Sequence, residues 1–253
     1  MKKFLFILAA IFIATSILSC SKDEPENDKI DNTEVKLVRQ IKKSVDYEHG
    51  IPSGLRTIDL EYDSQNRIVR YYEYYEDSFY WHNEWNFMYD GDSMIANFND
   101  YGEESVYNCK LNKDGYITEW TDADKSKKKI TYKNGYLVYC EYIYPGYDRN
   151  FKYNWEDGNI TYILDNDSCD YFSYSPYKYP HINLDLFYVS DNGCVGYGDD
   201  EVLGLLGFFG RHNDYLPAVL YWDNGYIDYV YEFNEDGTVS KIIFGMVYME
   251  LYY

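Results

Sequence analysis

The chain is short of positive charge. Lys and Arg number 23 against 43 Asp and Glu, so 253 residues carry a formal charge of −20. Phosphate backbones and anionic surfaces are held by clustered Lys and Arg, which sets nucleic acid aside as a partner. The one basic run, Lys125 to Lys129, falls at an expected turn. Histidine is scarce: His49, His82, His181 and His212 are scattered, and no C-x-x-C or Cys/His ligand spacing is present. No metal and no cofactor is therefore expected. A G-x-S-x-G elbow, a P-loop and a dinucleotide-binding glycine pattern are all missing, and no catalytic residue is assigned. Long hydrophobic runs are missing as well. Phe4 to Leu18 falls short of the ~20 residues a membrane helix needs.

That short run reads as an address. Lys2 and Lys3 precede it, and Ser19 and Cys20 follow it, as in a signal peptide. Ile17-Leu18-Ser19-Cys20 resembles a bacterial lipobox, which implies cleavage before Cys20 and lipidation of its sulfur. Residues 1–19 are then the signal peptide. Residues 20–33 are the lipidated Cys20 and a polar, acidic tether, Ser21-Lys22-Asp23-Glu24-Pro25-Glu26-Asn27-Asp28, unable to bury a core. The acidic run also resembles the surface-export signal of Bacteroidota lipoproteins, so both faces of an outer membrane stay open. The membrane is then a partner through the lipid chains, each buried CH₂ contributing about 0.8 kcal/mol.

What is abundant is turn chemistry and tyrosine. Leu60-Glu61-Tyr62-Asp63-Ser64-Gln65-Asn66-Arg67-Ile68-Val69 is an alternating strand, a four-residue turn and a second strand. The pattern returns around Asp114-Gly115 and Asp236-Gly237. A form one residue shorter appears around Asn134-Gly135, Asp157-Gly158 and Asn224-Gly225. Asn, Asp and Gly accept positive φ cheaply, so these turns mark hairpins rather than sites. Their spacing leaves room for strands and turns only, as in an antiparallel meander. The period breaks between Gly158 and Gly225. There Glu201-Val202-Leu203-Gly204-Leu205-Leu206-Gly207-Phe208-Phe209-Gly210 reads as a short helix held by packing, a plug or cap within an insert over residues 176–217.

The fold class expected is all-β: one domain, residues 34–253, of repeated hairpins forming a curved sheet or barrel-like structure with one short helical insert. In such a meander Cys109 and Cys140 lie three strands apart, roughly 14 Å at about 4.8 Å per strand, too far for a disulfide. Mostly free, buried thiols are expected, with Cys169 and Cys194 left open.

Several of these residues resemble the DUF4595 family, Bacteroidota lipoproteins of unknown function with a porin-like fold. They are the Cys20 leader, the Glu61 to Ile68 repeat, Ile182-Asn183-Leu184-Asp185, and Leu203 to Gly210 followed by Leu216-Pro217. The resemblance implies a large curved antiparallel sheet or barrel and transfers no catalytic residue. A lipid-spanning barrel is disfavoured, because charges fall on both strand parities: Arg67 and Glu73 on one, Arg70 and Glu76 on the other.

Tyrosine is the compositional outlier, at 33 residues. Strand propensity accounts for part of this; a binding face is the sharper reading, since Tyr and Trp give rigid area with a polar tip. The candidate ligand-stacking residues are Tyr71, Tyr74, Tyr80, Trp81 and Trp85, with Tyr72 and Tyr75, crowded on one hairpin. Asp165-Asn166-Asp167-Ser168-Cys169-Asp170 reads as a β-turn, because it lacks the Gly and Glu of a calcium loop. The function expected is a cell-envelope lipoprotein acting as a non-catalytic binding or accessory protein for a glycan or an envelope protein. The alternatives are an envelope hydrolase with paired carboxylates and a structural component without small ligand.

Overall fold

A computed structural model describes residues 35–45, 54–76, 78–100, 102–165, 168–188, 199–223, 225–245 and 247–253. The leader, Cys20, the tether and Cys194 lie outside the described residues. Sixteen described strands form a closed antiparallel barrel in sequence order. They are β1 (Gln40–Val45), β2 (Gly54–Tyr62), β3 (Ile68–Tyr75), β4 (Ser78–Asp90), β5 (Ser93–Asp100), β6 (Glu103–Leu111), β7 (Ile117–Thr121) and β8 (Lys127–Lys133). They continue as β9 (Tyr136–Tyr144), β10 (Tyr147–Glu156), β11 (Asn159–Asp165), β12 (Ser168–Lys178), β13 (Tyr215–Trp222), β14 (Gly225–Phe233), β15 (Val239–Phe244) and β16 (Val247–Tyr252). β1 closes the ring on β16, with Gln40 opposite Tyr252 and Ile41 opposite Leu251.

In a meander, hairpin turns alternate between two ends. Five of the six repeated turns fall at one end, here the turn end. The sixth, Trp222-Asp223-Asn224-Gly225, falls at the other, the far end, between β13 and β14. The backbone follows the side-chain logic: Asn66, Asn134 and Asp157 have φ of 61°, 55° and 47°, as do Gly115 and Gly237 at 86° and 85°. In the longer turns a side chain closes the loop. Asp63 Oδ1 accepts from the Gln65 and Arg67 amides at 2.8 and 3.0 Å, and Asn112 Oδ1 from Asp114 and Tyr116 at 2.9 and 3.0 Å.

Each of these five turns carries a β-bulge just after it, where the extra residue is Val69, Thr118, Val138, Thr161 or Ser240. A bulge disrupts the ladder and leaves a group to satisfy. The residues at the bulges, on the turn side, are Ile68, Ile117, Leu137, Ile160 and Val239, and an aromatic donor from the next strands supplies each of their carbonyls. The donors are Tyr89 Oη at 2.9 Å, Tyr132 Oη at 2.6 Å, Trp155 Nε1 at 2.6 Å, Tyr174 Oη at 2.7 Å and Tyr253 Oη at 2.7 Å, in that order. Burial pushes the Tyr132 and Tyr174 hydroxyls well above the usual phenol range and Tyr253 up to about 12. Four tyrosines are thus used in bulge repair.

Most inward positions are apolar: Ile41, Ile58, Trp85, Met94, Ile117, Phe151, Ile163, Ile242 and Met249 are all buried. Outward positions carry the charge, in cross-strand pairs such as Arg70 with Glu61 and Glu84, Glu119 with Lys110 and Lys127, and Lys129 with Glu141. Such exposed pairs contribute up to about 1 kcal/mol each. The basic run divides between the two faces. Lys129 is outside, whereas Lys128 is buried, its ammonium 4.4 Å from the Tyr142 ring centroid and 4.2 Å from that of Phe209. Cys109, Cys140 and Cys169 form no disulfide.

Candidate functional site

A sixteen-strand barrel is wider than its own side chains can fill; barrels of that size otherwise hold an aqueous channel. Here the chain between β12 and β13 fills part of it. β12 runs on to Lys178 and β13 begins at Tyr215, so the insert is 179–214, three residues shorter at each side than the sequence suggests. Pro176 and Pro217 do not end the pairing: Tyr174 faces Pro217 across a register shift.

The insert leaves and returns at the turn end and is bound there on opposite sides. The Lys36 amide donates to His181 O, Asn183 donates to Lys36 O, and Asn183 Oδ1 accepts from the Val38 amide at 2.8 Å. Across the mouth, Ile117 donates to Phe208 O, Arg211 to Gly135 O and Asp214 to Gly158 O. Within the plug lie a 3-10 turn, Leu186–Tyr188, and helix α1, Asp199–Leu205. The helix ends as a Schellman motif: Phe208 donates to Leu203 O, and Gly207, at φ 81°, donates to Gly204 O. Gly204 lies under Tyr188, where a Cβ would meet the ring at 2.5 Å. The glycines that weaken a free helix therefore permit this one to cap and pack. Asp185 is wholly buried, accepting from the Phe187 amide at 3.1 Å and approached by Tyr179 Oη at 3.4 Å; burial raises its pKa to about 7.

The plug leaves a cavity of about 300 Å³ toward the far end. Its lining includes Lys43, Arg56, Glu73, Asn83, Asp100 and Glu201 beside Tyr71, Trp85 and Phe98. Arg56 Nη1 donates to Glu73 Oε1 at 3.0 Å and Nη2 to Tyr75 Oη at 2.9 Å, while Tyr71 Oη donates to Glu73 Oε2 at 3.2 Å. Asn83 Oδ1 is buried without a hydrogen-bond partner among the described residues. Charges of both signs and one open acceptor suit a small polar ligand. Among the described residues no group of three His, Cys, Asp or Glu could hold a metal. Asp165, in the suspected turn, is taken by Arg149 at 2.9 and 3.0 Å.

The structure does not bring the five candidate stacking residues onto one face. Strand alternation sends Tyr71 and Trp85 inward, where they are 3% and 1% exposed. Trp85 is packed by Phe98 at 4.5 Å and Tyr107 at 5.5 Å between centroids, so its faces are consumed by the core. Tyr74 points outward beside Tyr72, half-buried. The side chains of Tyr80 and Trp81 lie outside the described residues. An exposed aromatic row occurs elsewhere. Tyr162, Tyr171, Tyr221 and Tyr226 face one another in succession across β11, β12, β13 and β14. Symmetric counting about the turns gives Tyr162 opposite Tyr171 and Tyr221 opposite Tyr226. Joining the two pairs needs the β12–β13 register, which the insert hides.

No protein-family model matches the chain, and no curated protein matches it. Among solved structures, it is similar to a porin-like protein from Bacteroides uniformis, with a TM-score of 0.68, 14% identity, and coverage of 84% of this chain and 95% of that one. It is also similar to a porin-like protein from Bacteroides vulgatus, with a TM-score of 0.59, 17% identity, and coverage of 86% and 98%. At these identities the likeness is one of fold: this chain, a closed antiparallel β-barrel, has a fold like that of those porin-like proteins.

Proposed function

We propose that the chain is a lipid-anchored cell-envelope protein that binds a partner and conducts nothing through its lumen. One observation carries this: the barrel is plugged and mostly apolar inside and charged outside. A barrel facing lipid needs an apolar outer band about 25 Å tall, and each Lys or Arg turned to the bilayer midplane costs ~2–4 kcal/mol. This wall presents Arg70, Glu84, Glu119, Lys129, Glu141 and Lys152. The leader ending at Cys20 supports a lipid anchor instead, and the acidic tether supports an outer membrane, at either face.

The test uses the full chain expressed in a Gram-negative host. Wild type fractionates with the outer membrane, and Cys20→Ala moves to the soluble fraction still folded; planar bilayers exposed to the purified protein show no conductance steps. Conductance, or Cys20→Ala retained as an integral membrane barrel, sinks the proposal. A second reading is favoured by one feature, the three carboxylates Glu73, Asp100 and Glu201 on the far-end cavity. An envelope hydrolase would use two of them as acid and base. It predicts turnover of a glycan substrate that Glu201→Gln abolishes, and no turnover across a glycan panel removes it.

A further inference from the structure

We infer that the outer wall from β11 to β14 is a stacking platform for a neutral polysaccharide lying across the strands. This deepens the reading of the barrel as a binding protein and rests on it. Four consecutive strands each contribute one tyrosine at the same level: Tyr162 opposite Tyr171, Tyr171 opposite Tyr221, Tyr221 opposite Tyr226. They are 36%, 54%, 44% and 62% exposed, although tyrosines elsewhere in the barrel are mostly half-buried or buried. Ring centroids are 6.2 Å apart for Tyr162 and Tyr171 and 6.3 Å for Tyr221 and Tyr226. None of the four has a role in bulge repair or in the core, although the Tyr171 hydroxyl is hydrogen-bonded with Cys169. Exposed aromatic area of this kind marks an interaction site.

Two features select the occupant. The first is period. Strands repeat every ~4.8 Å, close to the rise of one pyranose in an extended β-linked chain. A sugar polymer running across the strands therefore meets one ring per residue or per pair of residues, its apolar C–H face on the tyrosines and its hydroxyls at their polar tips. The right-handed twist between strands fans the rings, which suits a chain with a twist of its own. The second is charge. Asp223 acts electrostatically on Tyr171, Asp170 precedes it, and Asp228, opposite Val219, lies one row away, against one basic group at the same remove, Lys152 opposite Leu164. The protein as a whole carries −20. An anionic polymer is repelled by such a surface, whereas a neutral one is not.

The experiment is affinity electrophoresis of the detergent-solubilised full chain through gels cast with a neutral β-glucan, xylan or mannan, with polygalacturonate as the anionic control. Wild type is retarded by at least one neutral polymer and not by polygalacturonate. Tyr171→Ala with Tyr221→Ala weakens binding about tenfold or more, and Phe at both positions keeps most of it. Both positions are exposed, so melting temperatures stay at the wild-type value, and Val230→Ala, exposed on β14, binds as wild type. The inference is overturned if no neutral polymer retards the chain, if the double alanine variant runs as wild type, or if polygalacturonate retards it equally. It is also overturned if size-exclusion chromatography shows a dimer that the alanine pair dissociates, which assigns the row to a second copy. Gels without retardation, together with silent bilayers, remove this inference alone; conductance removes the functional reading beneath it.

Discussion

The two ends of the barrel treat the same hairpins differently. At the turn end, each repeated hairpin has a bulge, a left-handed residue, an aromatic donor to the carbonyl at the bulge, and in several cases a backbone bond to the plug. At the far end the described turns hold left-handed residues too, Gly102, Lys125, Gly146 and Gly245, and Asp122 Oδ1 accepts from the Ser126 amide at 2.9 Å, but the plug's backbone bonds are made at the turn end. The lumen there holds a cavity, in which Glu73 is bonded by Arg56 and Tyr71 and Asn83 Oδ1 is buried without a partner among the described residues. Rigidity is concentrated where the plug must be gripped. Ionisable groups gather in the lumen at the far end, and elsewhere they enter it singly, as Asp185 does in the plug.

Substitutions can test that contrast. The largest effect is expected at Gly210, which has φ 104° and whose Cβ would stand 2.7 Å from Gly135 O. Backbone strain and overpacking together predict that Gly210→Ala costs about 3 kcal/mol in urea unfolding. A loss under ~1 kcal/mol would show that the plug yields easily and that the turn end is not rigid.

Asp185 sharpens the comparison through pH. Its folded pKa of about 7 lies above the ordinary 3.8. Below about pH 4 it is protonated in both states and carries no penalty. Between about 4 and 7, folding takes up a proton, so stability falls as pH rises by up to ~1.4 kcal/mol per unit. Above 7 the loss is complete. Asp185→Asn keeps an acceptor for the Phe187 amide and removes this slope. The stability difference between variant and wild type should therefore grow from pH 4 to 7 and then level off. A flat difference across that range would mean the carboxyl titrates normally, in a wet plug.

Two tyrosines make the contrast like for like. Tyr132→Phe orphans the Ile117 carbonyl at the turn end and should lower stability by about 1–2 kcal/mol. Tyr75→Phe removes an acceptor from Arg56 at the far end, where Glu73 still holds the guanidinium. Its expected cost is smaller, under about 1 kcal/mol. Equal losses in thermal melts would erase the distinction between the ends.

The hairpins were legible in the sequence because positive-φ turns demand Asn, Asp or Gly and because alternation is local. The plug was legible as a break in that rhythm, and Gly204, Gly207 and Gly210 as trouble for a helix. Their purpose was not legible, since it depends on Tyr188 and Gly135, which are distant in sequence. Crowding of Tyr71 to Trp85 on one hairpin suggested a surface. Alternation and barrel closure divided those side chains between lumen and wall, and closure is set by the pairing of β1 with β16, which no local pattern announces. Lys128 misleads in the same way: it reads as one of a basic run, yet its parity points it at Tyr142 and Phe209.

That closing pair has a kinetic consequence. Gln40 meets Tyr252, near opposite ends of the described chain, so the last ladder to form spans almost the whole sequence. Loop-closure entropy must be met before that contact returns anything, which makes folding slow. Until then β1 and β16 are unpaired edges beside an unsealed apolar lumen, the condition in which β proteins aggregate.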